Sequence, residues 1–302
     1  MAMVREYALF AQLLRLALCL AASVGLGFAA HADTGSALAL RAKHDELQDH
    51  LARNAFGRPL HLASQESSNQ LKGDVYGVVN HPFARVDEGL REAHSWCDVL
   101  ILPFNTKHCY ALPGAGATAL SMRVGRKSDQ PAEQAYPIAF NYRVAARTPD
   151  YLRIVLQAEN GPLGTRDYQI ALEATPLDEG RTFIHLGYSY GFGVMSRLAM
   201  QTYLGTIGAN KVGFTVVGHE ADGRPKYVGG MLGATERNTM RYFLAIDSYL
   251  VSLAAPPGAQ LDKRLNDWFA ATEKYSRQLH EMDHGEYISM KQKETQRLRA
   301  AL

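Results

Sequence analysis

His280-Glu281-Met282-Asp283-His284 fits the pattern H-E-x-x-H. On one helix that spacing puts two imidazoles on the same face, able to hold zinc, with the glutamate placed to activate a water. The chemistry implied is zinc-dependent hydrolysis. Three features oppose it. Asp283 places a charge where such motifs carry an apolar side chain, Gly285 breaks the helix at once, and no extended form with a third histidine follows. A third ligand would have to come from Glu286, Glu294 or elsewhere in the chain. The expectation is therefore an incidental charged helix, with His280 and His284 as weak metal candidates, no catalytic residue assigned and no cofactor.

Three further sets of residues carry chemistry. Cys97 and Cys109 are an even pair twelve positions apart. In an oxidising compartment a disulfide between them is expected, two buried thiols being the alternative. Asp247 lies at helical spacing with Phe243, Leu244, Leu250 and Val251, where a carboxylate would sit at a cavity mouth or pair with a cation such as Arg241 or Arg197. His185 and His219 are scattered, and His81 precedes Pro82 at a helix start, where capping is its default role. The sequence contains neither a Gly-x-Ser-x-Gly elbow nor a Gly-x-x-x-x-Gly-Lys phosphate loop. With 32 Lys+Arg against 30 Asp+Glu and no basic stretch interleaved with aromatics, no nucleic-acid partner is expected. The C-terminal run Lys291, Lys293, Arg297, Arg299 reads as a solvated end, with peripheral membrane contact as a lesser option.

The elements that must position these residues begin with a leader. Arg5 and Arg15 precede the uncharged apolar run Leu16–Ala29, and Ala30-His31-Ala32 reads as a small-x-small cleavage site. These are the parts of a secretory signal peptide. The run is short of the roughly 20 apolar residues of a spanning helix, so an exported protein, periplasmic or secreted, is expected, with Cys19 discarded along with residues 1–32. Residues 33–69 read as a helical lead-in whose amphipathic stretch is stopped by Gly57 and Pro59. Residues 74–80 read as a strand, and His81-Pro82 opens a helix through Val86 and Leu90.

From 97 to 192 the period becomes two. Cys97–Leu102 reads as β-rich, and residues 118–126, 138–144, 152–157, 168–173 and 184–190 each alternate apolar with polar positions. Asn160-Gly161 and Asp178-Glu179-Gly180 mark tight turns, and gaps this short make neighbouring strands antiparallel. The fold class expected is α+β: an antiparallel sheet of about six strands, apolar on one face, with helices near 194–209, 234–253 and 259–283 to cover it. The Gly-rich stretch 205–233 between them is ambiguous, strand or helix.

This order of elements resembles the START and birch-pollen-allergen-like superfamily, the helix-grip fold. The local match is Gly77-Val78-Val79-Asn80-His81-Pro82-Phe83-Ala84-Arg85-Val86 followed by Ser95-Trp96-Cys97. The resemblance covers 70–210 and leaves 211–302 as a mainly helical extension. It implies a hydrophobic cavity between a curved sheet and a C-terminal helix, used by members to bind lipids, sterols or polyketide-like molecules, or for cyclase and aromatase chemistry. The residues expected to line such a cavity are Phe140, Tyr142, Ile184, Leu186, Tyr188 and Tyr190, with Asp247 at its mouth. Tyr188 and Tyr190 lead, because two hydroxyls on one face are hard to satisfy in a dry core. The expected function is an exported, non-enzymatic binder of a lipid or other hydrophobic small molecule. A cyclase-type or zinc hydrolase activity, and a scaffold with a filled core, are the alternatives.

Overall fold

The computed structural model describes residues 36–112, 118–206, 208 and 210–301. The leader and Cys19 lie outside them. Among the described residues, eight strands form one antiparallel sheet, ordered β1-β2-β8-β7-β6-β5-β4-β3. They are β1 (Leu60–Glu66), β2 (Gln70–Val79), β3 (Thr106–Leu112), β4 (Thr118–Val124), β5 (Tyr136–Thr148), β6 (Tyr151–Asn160), β7 (Arg166–Pro176) and β8 (Thr182–Gly191). Strands β3 to β8 run as a meander, and β1–β2 joins beside β8 through the pairing of β2 with β8. The fold class is thus the one read from the alternation, enlarged by β1 and β3.

Two short helices, α1 (Ala37–Glu46) and α2 (Gln48–Ala52), lie on the outer face of the sheet. There Leu40, Leu47 and Leu51 bury against Val78, Tyr151 and Phe183. Between β2 and β3 come α3 (Phe83–Leu90) and α4 (Ala93–Leu100). The expected strand at Cys97–Leu102 is therefore corrected to the end of a helix. Ala93, Trp96, Val99 and Leu100 bury one helical face, and so short an apolar run does not separate the two periods. The Trp96 indole donates to the Leu90 carbonyl at 2.9 Å. The Cys97–Cys109 disulfide is present, Cα atoms 5.1 Å apart, and joins α4 to β3 rather than two strands. His81 is corrected as well: Pro82 is the cap residue of α3 and no side chain caps it, while the buried His81 offers its carbonyl to the Thr182 hydroxyl at 2.7 Å.

After β8 the chain forms α5 (Val194–Thr206), a small hairpin of β9 (Val216–His219) and β10 (Pro225–Tyr227), then α6 (Gly230–Ser252). The ambiguous Gly-rich stretch thus holds a hairpin. The helix that the sheet grips is α6, well beyond residue 210, whereas α5 packs on α6 and on the β6–β7 turn. Glycines on β2 let α6 approach: a Cβ at Gly73 would stand 2.3 Å from the Thr239 hydroxyl, and one at Gly77 2.6 Å from the Phe243 ring. Gly77→Val is expected to force the Phe243 ring off β2 and to cost about 1–3 kcal/mol, read as a lower urea midpoint.

The remaining helices are α7 (Gln260–Glu273), α8 (Ser276–Leu279) and α9 (His284–Ala301). They clamp the far side of α6. Trp268 donates its indole N–H to the Arg241 carbonyl at 3.1 Å and packs with Phe104 and Tyr287. In the C-terminal run, expected as a solvated end, Lys293 and Arg297 are exposed but Lys291 is not. Lys291 is buried, as are Glu294 and Lys107, and the two ammonium groups share the Glu294 carboxylate at 2.8 and 2.9 Å. Arg297 reaches Asp129 at 2.9 Å. Among the described residues no helix is long and apolar enough to cross a membrane.

Candidate functional site at the tyrosine end of the sheet

Alternation along β7 and β8 sends Tyr168, Tyr188 and Tyr190 to the inner face, where Tyr188 pairs with Ile170 across the strands and with Gly73 on β2. The Tyr168 and Tyr190 rings stack 5.2 Å apart, and Tyr188 meets Tyr242 of α6 edge to face at 5.4 Å. Such geometries suit the aromatic quadrupole. Gly161 is required beside them, since a Cβ there would stand 2.2 Å from the Tyr168 ring.

Their hydroxyls are held individually. Tyr168 shares a hydrogen with the Thr165 hydroxyl at 2.7 Å, Tyr190 approaches Thr235 at 3.5 Å, and Asn238 lies near enough to the Tyr188 hydroxyl to pull against the upward effect of its burial. Burial pushes the Tyr188 hydroxyl well above its ordinary range and carries Tyr190 and Tyr242 up to about 12. All four are neutral donors at physiological pH.

Exposure along α6 varies with the helical period. Positions 233, 235–237, 239–241 and 243–246 are buried, yet Ala234, Asn238 and Tyr242, one turn apart, are only half-buried. Tyr242 keeps part of its surface accessible, and burial raises its hydroxyl. The stripe looks across to Tyr188. Where α5 meets the start of α6, an open groove of about 590 Å³ is lined by Gln201, Leu204, Gly205, Glu66 and Val228–Leu232.

The residues expected to line a cavity separate into three groups. Tyr188 and Tyr190 are at this end, while Phe140, Ile184 and Leu186 are fully buried in the core on the same inner face. Tyr142 is buried too, with its hydroxyl on the Arg91 carbonyl at 2.5 Å. Asp247 is elsewhere: it pairs with Arg58 at 2.8 Å, and Arg58 also covers the Phe243 ring. The expected pairing of this carboxylate with a cation is found, but with Arg58 in place of Arg241 or Arg197. Tyr168, Tyr242, Asn238 and Thr235 were not among the candidates. The alternation of 168–173 with Tyr168 at its head was a usable signal for the first; only the position of α6 reveals the others.

The H-E-x-x-H residues do not share a helix. His280 ends α8, His284 begins α9, and Glu281 to Asp283 form the bend between them. His280 contacts Glu273 at 3.0 Å and His284 contacts Asn266 at 2.8 Å. Among the described residues no cluster of three or more His, Cys, Asp or Glu is arranged for a metal. Glu281 instead points to Arg241, Lys127 and Lys211, at 2.5, 2.6 and 3.2 Å. These cations hold its carboxyl at about 2 despite burial.

A second polar group lies on the outer face. His185 stands between Asp74, 2.7 Å from Nε2, and Glu173, 2.8 Å from Nδ1, with Tyr76 stacked on its ring at 4.3 Å. The Tyr151 hydroxyl donates to Glu173, and Lys72 lies 3.0 Å from Asp74. The three strands place His185 between its partners: it pairs with Tyr76 on one side and Glu173 on the other.

No family model and no curated protein matches the chain. Solved structures do match at low identity. Norcoclaurine synthase from Thalictrum flavum aligns with 13% identity over 48% of this chain and 91% of its own, with a TM-score of 0.34. Human StAR-related lipid transfer protein 5 aligns with 8% identity over 52% and 82%, at 0.29. The Zhui aromatase/cyclase from Streptomyces sp. R1128 aligns with 15% identity over 72% and 95%, at 0.28. The chain's own architecture, an eight-stranded antiparallel sheet packed on the long helix α6, is a helix-grip arrangement.

Proposed function

We propose that this protein is an exported, non-enzymatic binder of a lipid or other hydrophobic small molecule, held between the inner sheet face and α6 at its tyrosine end. The observation that carries this reading is the half-buried stripe Ala234, Asn238, Tyr242 on a helix otherwise buried around that face, opposite Tyr188. Apolar walls from Ile170, Leu186 and Met231 would supply affinity at roughly 25 cal/mol per Å² of apolar area removed from water. Neutral phenols and the Asn238 amide would orient the guest.

Native mass spectrometry and solvent extraction of the purified protein are expected to reveal a bound apolar molecule. Tyr242→Trp, which fills the space, is expected to weaken a neutral naphthylamine dye about tenfold or more. A protein that never carries a guest and never binds the dye would refute the reading. Export is proposed from Leu16–Ala29 and Ala30-His31-Ala32. N-terminal sequencing of protein from the exported fraction is expected to begin at Asp33, and an intact Met1 would count against it.

A further inference from the structure

The outer face of the sheet carries a row of polar side chains on the side away from α6. Lys72, Ser189, Gln169, Gln157 and Asn141 stand opposite one another in register across β2, β8, β7, β6 and β5. Their neighbours in sequence, among them Leu71, Tyr188, Ile170, Leu156 and Tyr142, are buried on the inner face, so alternation turns all five outward. Four strand steps make the row about 19 Å long, at about 4.8 Å each. It crosses an open hollow of about 590 Å³, with Gln70, Glu159 and Asp167 at its rim and the largely buried Ser189 at its floor.

The charges of this hollow are mostly balanced where they stand. Lys72 pairs with Asp74 at 3.0 Å, and Asp167 with Arg166 at 3.2 Å. What remains is amide chemistry. Gln157 donates to the Gln169 carbonyl at 3.1 Å, which leaves the Gln157 oxygen and the Gln169 nitrogen to meet a guest, beside the exposed Asn141 and Glu159. Strand β7 also bulges here: its register against β8 shifts between Arg166 and Gln169, and Asp167 takes a left-handed conformation at φ 52°. A bulge re-aims side chains, and this one brings a carboxylate to the rim.

Apart from Ala158 and Tyr168, every lining side chain is polar, so an apolar guest has little surface to bury. An anion meets one lysine, already paired. Amides side by side, each donating and accepting at once, match the vicinal hydroxyls of a sugar.

We propose that this hollow binds a neutral β-1,4-linked oligosaccharide, laid across the strands with its hydroxyls on the row from Lys72 to Asn141. A strand step is close to the length of one pyranose unit in an extended chain of this linkage, so about four units fill the row. The site is independent of the hydrophobic one proposed above, from which the sheet itself divides it.

Isothermal titration calorimetry of the full chain with cellotetraose, N-acetylchitotetraose and maltotetraose tests this. At least one of the first two is expected to bind one to one, more tightly than its own dimer and more tightly than maltotetraose, whose α-linkages curl it off a straight row. Gln157→Ala combined with Gln169→Ala is expected to weaken that tetramer about tenfold, the effect of losing two neutral hydrogen bonds, with the urea midpoint unchanged. Asn141→Ala, at the end of the row, is expected to remove most of the advantage of tetramer over dimer. Binding of neither β-linked tetramer, equal affinity for dimer and tetramer, or binding that the double variant leaves intact would overturn the assignment. Binding of tetralysine in their place would overturn it too, since the carboxylates at the rim would then be selecting a cationic peptide.

Discussion

Glu294→Ala is expected to lower the stability of the protein by about 3–5 kcal/mol, the range for removing one partner from a buried ionic group. Glu294 is 2% exposed and receives Lys107 on one carboxylate oxygen and Lys291 on the other. Lys291 also donates to the carbonyls of Pro103 and Thr106, both at 2.8 Å, and Lys107 to that of Phe104 at 2.9 Å. The cluster therefore fastens α9 to the loop before β3, beside the Cys97–Cys109 disulfide. Without the carboxylate two buried ammonium groups face each other, and they must shed a proton for the helix to stay docked.

The pH dependence follows from Lys291, whose ammonium is lowered to about 8, first by burial and against the pull of Glu294. A lysine depressed in the folded state binds fewer protons there than in the unfolded chain. Its unfavourable contribution is complete below about pH 8 and fades as pH rises toward the unfolded value near 10.4. The Glu294→Ala deficit is thus larger at pH 7 than at pH 9.5. Urea unfolding at the two values measures both quantities. A loss under about 1 kcal/mol, or one that grows with pH, would show that the cluster is not what holds α9.

The fold was legible where one period ran long enough to bury one face. Strands β4 to β8 each alternate over a whole strand, with turn residues between, so the meander could be read directly from residues such as Ile154, Leu156, Ile170 and Leu172. Strand β1 was missed because only Leu60 and Leu62 alternate before the polar Ser64-Gln65-Glu66, and β2 supplies its pairing from outside. Helix α4 was misread because the short continuous apolar run at 99–102 fits either period. The gripping role of α6 was not local information at all. It depends on the absence of side chains at Gly73 and Gly77, more than 150 positions earlier, which lets Thr239 and Phe243 sit on β2.

The site divides along the same line. Tyr188 and Tyr190 were visible as inner-face phenols, but their partners Asn238, Thr235 and Tyr242 arrive only when α6 docks. Asp247 shared its helix with the site and not its side, since five residues beyond Tyr242 turn it toward Arg58. H-E-x-x-H failed for a related reason: the pattern presumes one continuous helix, and the bend at Glu281–Asp283 spends the glutamate on three cations instead. The Asp74, Glu173 and His185 group had no signature at all, being assembled from three strands.

That assembly gives the last prediction. His185→Gln is expected to cost about 3 kcal/mol near pH 5.5, because it leaves the mostly buried carboxylates of Asp74 and Glu173 facing each other across an uncharged side chain. Both ring nitrogens of His185 point at carboxylates, which requires the charged imidazolium. Burial lowers its affinity for the proton, but the bonds to Asp74 and Glu173 outweigh that and raise the His185 value. The same bonds, helped by Lys72 at Asp74 and by Tyr151 and Arg153 at Glu173, lower both carboxylates despite burial. The signs are opposite at the two ends. The histidine contribution is complete below its unfolded value near 6.5 and disappears as pH rises through the raised folded value. The carboxylate contributions are complete above about pH 4.5 and disappear as pH falls through their lowered values. The deficit of His185→Gln is therefore greatest between about pH 4.5 and 6.5 and shrinks as pH rises through the raised folded value of His185. Urea midpoints at pH 5.5 and 9.5 decide it. Equal deficits at both would mean that His185 acts here only through its stacking on Tyr76, and that Asp74 and Glu173 are held by Lys72, Arg153 and Tyr151 without it.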